Sequence, residues 1–208
     1  MKQTAFHEAG HAVLYALWDL PFDRSMTPKH CTLADKELSV TAIHEAGHVV
    51  LACLVGVPFR RVTVIPDRRF AGHVTVYRKK PPAHVFPWND AWNAAGAREY
   101  WTRHICAILA GPLAETLYTQ HWCEQSRSDE YEVQKISDYF YLDPPTKRAR
   151  WVNRLRFETL ETLRTPEVWA AVSAVALELV KRSPLKGAEV RALVSLFTPS
   201  VRKCAKRR

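Results

Sequence analysis

From Ala46 to Val57 the chain runs twelve residues with His48 as its single polar interruption. With Thr41-Ala42-Ile43-His44-Glu45 before it, this stretch reads as a buried helix. His44 and His48, at i and i+4, then stand on one helix face about 6 Å apart along the axis. Glu45 is i+3 to His48 and borders the same face. Two imidazoles and a carboxylate inside a protein need partners, and a metal ion supplies them. Gly47 in the helix interior costs about 1 kcal/mol relative to Ala, which predicts the close approach of another element.

His-Glu-x-x-His on a helix is a zinc-hydrolase signature. The metal lowers the pKa of water to about 7, and a neighbouring carboxylate that is not a ligand takes the proton. His44 and His48 are therefore candidate ligands of Zn2+, with Glu45 the candidate general base. The competing reading is a surface His pair with a solvated Glu.

The motif occurs twice. Thr4 to Phe22 and Thr41 to Phe59 share 12 of 19 residues at an offset of 37, including all of His-Glu-Ala-Gly-His. Two copies do not make a solenoid; local duplication is the simpler account. His7, Glu8 and His11 are thus a second candidate set. The segments downstream of the two copies favour the second. A polar, Pro-containing loop, Asp23 to His30, comes after the first. After the second come a strand at 61–65, a turn at 67–69 and a strand at 71–77. The first copy is read as a degenerate copy, an extra packing helix, or another metal site with His30, Cys31 or Asp35.

The rest of the chain is helical in pattern. A Pro-rich loop, 79–90, ends at Asn89 or Asp90 as an N-cap. A long helix runs from there to Gly111-Pro112, and helical periodicity resumes over 113–118. Further helices are expected over 129–141, 146–164, 167–182 and 187–197, with Thr165-Pro166 and Ser183-Pro184 at the boundaries. The only convincing β-structure is the 61–77 hairpin. Residues 1–40 form an N-terminal segment, 41–198 the main domain and 199–208 a basic tail.

The net charge of +9 is spread over amphipathic helices, apart from that tail, so no specific nucleic-acid site is expected. No stretch is long enough to span a bilayer and no signal peptide is evident. Five irregularly spaced cysteines without C-x-x-C fit a reducing compartment. The chain is expected in the cytoplasm.

Thr-Ala-Ile-His-Glu-Ala-Gly-His-Val-Val, then Val-Thr-Val-Ile-Pro (62–66), then Ala-Gly-His-Val-Thr (71–75), resemble the peptidase M41 family. These are the protease domains of FtsH-type ATP-dependent zinc metalloproteases. Ile108 to Glu115 and Leu185 to Val190 are similar to later segments of that family, so the resemblance runs over about 41–197. It implies a mainly α (α+β), zincin-like helical peptidase domain with a small β-hairpin or sheet. It also implies a zinc metalloendopeptidase acting on polypeptides. The family's third zinc ligand is an Asp opening a downstream helix, which selects Asp129 in Ser128-Asp129-Glu130-Tyr131-Glu132-Val133. Glu130 and Glu132 stay open as alternatives. An acidic run here also has an ordinary explanation, complementing the helix dipole. The family's ATPase brings a G-x-x-x-x-G-K-[ST] loop that this chain lacks. Any ATP dependence would come from a separate AAA+ ATPase, and a homo-oligomer is a further option. Two other readings compete: a catalytically inactive pseudo-peptidase acting as a binding module, and a basic nucleic-acid-binding domain.

Overall fold

A computed structural model describes residues 33–66, 71–76, 95–121, 127–140 and 145–198. The first His-Glu-Ala-Gly-His copy, the Asn89/Asp90 cap, the Pro-rich loop and the basic tail lie outside these residues. The elements are α1 (Leu33–Val55), β1 (Phe59–Thr63), β2 (His73–Val76), α2 (Ala95–Thr119), α3 (Arg127–Phe140), α4 (Pro145–Arg164), α5 (Pro166–Lys181), β3 (Leu185–Lys186) and α6 (Gly187–Phe197). The architecture is mainly helical with a small antiparallel sheet. Among the described residues, no helix is long and apolar enough to cross a membrane. Cys53 and Cys106 are free thiols.

α1 is the central element and packs chiefly against α2 and α5. It begins at Leu33 and so crosses position 41, where the second copy of the repeat starts. Ile43, Val49, Val50 and Leu51 are buried, each side chain worth about 1.5–3 kcal/mol on removal from water. The helix stops where the chain can turn back on itself. Gly56 adopts φ +78, and the Val57 N–H reaches the Ala52 carbonyl at 2.8 Å. That is a Schellman closure, with buried Val57 as its apolar contact.

Two expectations need correction. The long helix does not break at Gly111-Pro112: α2 is continuous from Ala95 to Thr119 with Pro112 inside. Proline removes one backbone hydrogen bond, but packing on both sides holds the helix together. Ile105 and Leu109 before it and Leu113 and Ala114 after it are all buried. The β-structure is also more than a hairpin. The sheet has three strands in the order β2-β1-β3, with Leu185 and Lys186 paired to Val62 and Arg61. A two-residue strand leaves no period in the sequence. β1 ends at Thr63, earlier than expected, because the Val64 N–H turns to the Ser183 hydroxyl at 2.9 Å.

The remaining helices keep closely to their patterns. Pro166 opens α5, in keeping with its fixed φ. At α6 the Glu189 carboxylate accepts from the Lys186 N–H at 2.7 Å. Gly187 is required there because a Cβ would come 2.5 Å from the Phe59 carbonyl.

Candidate metal centre

The site is assembled where α1, α2 and the start of α3 meet. α1 lies close on α2 because both present small residues. A Cβ on Gly47 would stand 2.5 Å from the Ala110 carbonyl and 2.8 Å from the Ala114 Cβ. This is the close approach that the glycine predicts. At Gly111 the absent side chain leaves the space that the His48 ring fills, with Nε2 2.3 Å from where a Cβ would sit.

His44, His48 and Asp129 converge, each offering one ligand atom. The two Nε2 atoms are 3.0 Å apart. Asp129 Oδ2 lies 3.1 Å from His44 Nε2 and 3.7 Å from His48 Nε2. Tetrahedral zinc with bonds of about 2.0–2.2 Å sets its ligand atoms about 3.3–3.6 Å apart. The three separations bracket that range, so His44, His48 and Asp129 would hold such an ion after shifts of a few tenths of an ångström.

The tautomers are set by the group behind each ring. His48 Nδ1 is 2.9 Å from the Ala107 carbonyl, which only accepts, so Nδ1 carries the hydrogen. His44 Nδ1 is 2.8 Å from Glu115 Oε2, a carboxylate, and also donates. In the neutral rings both Nε2 atoms are then bare. Two nitrogen lone pairs and a carboxylate oxygen face one point, which is repulsive unless a cation occupies it. A proton is one such cation. Burial alone would lower the His44 pKa, but hydrogen bonds to Asp129 and Glu115 outweigh it and raise the value to about 10. Burial likewise opposes ionisation of Asp129, yet hydrogen bonds to His44 and His48 hold its carboxyl far below the usual range. A divalent cation satisfies all three donors at once, so the donor set fits Zn2+.

Glu45 borders this triangle without joining it. It is buried, and among the described residues its Oε2 has no hydrogen-bond partner. Burial pushes its pKa up, against the pull of His48 and His44. Gly72 seals the other side, since a Cβ there would come 2.9 Å from Glu45 Cγ and 3.0 Å from Oε1. The bend before β2 is thereby closed over the carboxylate.

The alternatives to Asp129 point elsewhere. Glu130 accepts from Arg156 Nη2 at 2.8 and 2.7 Å, an ion pair that ties the start of α3 to α4. Glu132 is exposed, 3.8 Å from Lys135. His73 is a half-buried strand residue paired with Thr63. The His104 Nδ1 bonds the Tyr100 carbonyl within α2, and His121 is exposed. His84 falls outside the described residues.

Glu115 is the functional residue that motif reading passes over. The available signal is a carboxylate amid Leu113, Ala114, Thr116 and Leu117, since a Glu buried in an apolar helix demands a partner. Compared with known proteins, the sequence matches no family model and no curated protein.

Proposed function

We propose that this chain is a zinc-dependent metalloendopeptidase with a zincin-like site of the M41 type. The observation that carries the reading is the convergence of His44 Nε2, His48 Nε2 and Asp129 Oδ2, with each ring backed by an acceptor. When bound, zinc supplies Lewis acidity toward a carbonyl and brings the pKa of water to about 7.

The chain's own residues do the rest. His44, His48 and Asp129 hold the ion. Glu115 and the Ala107 carbonyl fix ring orientation and raise ligand basicity. Glu45, unpartnered at Oε2 and with a raised pKa, takes a proton from the attacking water and returns it to the leaving amine. Its burial keeps that proton from bulk solvent. Among the described residues β2 is an edge strand, beginning beside Glu45, and an extended polypeptide can add to it as a further strand. Residues 1–208 contain no G-x-x-x-x-G-K-[ST] loop, so unfolding of folded substrates would rely on an ATPase outside them.

The test is zinc content per chain with casein cleavage, for wild type, His7→Ala, His44→Ala, Asp129→Ala and Glu45→Gln. One zinc is expected, lost in His44→Ala and Asp129→Ala and kept in His7→Ala. Glu45→Gln should retain zinc and lose cleavage. Zinc without cleavage in the wild type would leave a binding module. No zinc after reconstitution would sink the metal site.

A further inference from the structure

Arg61 is the middle of a row that crosses the sheet. Register pairs it with Thr75 on β2 and with Lys186 on β3. Arg61 and Lys186 are both exposed. Like charges directly opposite on neighbouring strands destabilise a sheet. The Glu189 carboxylate attracts Lys186, whereas among the described residues Arg61 has no salt bridge.

The backbone adds a second irregularity at the same place. A bulge between Phe59 and Arg61 breaks the alternation of β1. Arg60 and Arg61 are both exposed while Phe59 and Val62 stay buried. Bulges re-aim side chains. Arg61 Nε lies 3.5 Å from Thr75 Oγ1, so the guanidinium lies over β2, on the side of β1 opposite Lys186.

That direction leads to the side of β2 that pairs with no other strand among the described residues. A strand added there lies about 4.8 Å further out, and its side chain in the Thr75 row shares a face with Arg61. A guanidinium already over Thr75 is then within reach of that side chain. We infer that Arg61 selects an acidic side chain in an extended polypeptide laid along β2. The position selected is about three residues (~10 Å) from the chain segment beside Glu45, the separation of Thr75 from Gly72. A carboxylate is the group the row lacks, and a guanidinium binds it with two parallel hydrogen bonds. The inference rests on the peptidase reading for its occupant, a polypeptide.

The test uses the zinc-loaded full chain and fluorescein-labelled decapeptides in matched sets, with Glu, Gln or Lys stepped through each position. Anisotropy reads binding, and mass spectrometry reads cleavage in the same samples. At one register position Glu should bind about 2- to 5-fold tighter than Gln, the size of an exposed ion pair. The preference should vanish in Arg61→Gln, turn toward Lys in Arg61→Glu, and fade in high salt. Unchanged zinc content and melting temperature establish that the variants are folded. No difference between the Glu and Gln sets, including no binding of either, overturns the inference, as does a Glu preference that survives in Arg61→Glu. A Glu preference without cleavage supports Arg61 while defeating the peptidase reading; cleavage without the preference does the reverse.

Discussion

Gly111→Ala tests the site geometry directly. The new Cβ would stand 2.3 Å from His48 Nε2, 2.4 Å from Cε1 and 2.8 Å from Cδ2. Carbon contacts are optimal at about 3.5–4.0 Å, so the methyl overlaps a whole ring edge by roughly 1 Å. Neither side yields easily. The ring is tied through Nδ1 to the Ala107 carbonyl at 2.9 Å, and Gly47 against Ala110 sets the spacing of α1 and α2. His48 must swing away, losing a hydrogen bond worth about 1 kcal/mol. Overpacking adds about 1–3 kcal/mol, and the better helix propensity of Ala returns about 1 kcal/mol. Net destabilisation of about 1–3 kcal/mol leaves a folded protein. Zinc affinity should suffer far more, because one of three ligand atoms is displaced. A loss of at least about 100-fold is expected, the upper end for changes confined to the outer shell. Competition with a chromophoric chelator measures the affinity, and thermal melting of chelator-treated protein measures the stability. Gly96→Ala is the control, since nothing lies within 4 Å of its Cβ. A folded Gly111→Ala protein with wild-type zinc affinity would show that the His48 ring does not rest on α2. The two Nε2 lone pairs would then not be held at one point, and the metal site would lose its physical basis.

Glu45→Gln removes the charge that burial opposes and should raise the stability of chelator-treated protein at pH 7 by about 1 kcal/mol, since the buried amide keeps part of the desolvation cost. The folded pKa of Glu45 is raised above 4.5, so its charged form opposes folding at neutral pH; a lower melting temperature in the variant refutes this. Glu115→Gln keeps an acceptor for His44 Nδ1 but removes the charge, and should weaken zinc binding about 10- to 100-fold in the same competition assay. The pH dependence of chelator-treated protein reflects two opposite shifts. His44 is raised from 6.5 to about 10, so its stabilisation is complete below about 6.5 and is lost as pH climbs through about 10. Asp129 is depressed from 3.8, so its contribution is present above about 3.8 and is lost as pH falls through the depressed value. Urea unfolding across pH should show both limbs, and a His44→Ala protein that keeps the alkaline limb unchanged would contradict the assignment.

The local elements could be read from the chain because their causes are local. The apolar run after His44 marks α1 as buried, and Pro166 marks the start of α5. Gly47 announces a neighbour through its cost in a helix, though not which neighbour. Asp129 is singled out by the M41 resemblance and by no periodicity, and the same run offers Glu130 and Glu132 equally well. The Arg156 pairing of Glu130 is visible only in space. α2 passes through Gly111-Pro112 against its own sequence signal, because packing on both sides of Pro112 outweighs one missing hydrogen bond.

A spacing of four residues and a helical repeat of 3.6 place His44 and His48 on one helix face with Glu45 at its border, whatever the rest of the chain does. What that face meets depends on packing between elements far apart in the chain. The partner of His44 is 71 residues away, and that of His48 is 59 away. No pattern along the chain fixes such distances. They are set by glycines and alanines that let α1 settle onto α2, and that contact aims both Nε2 atoms at Asp129.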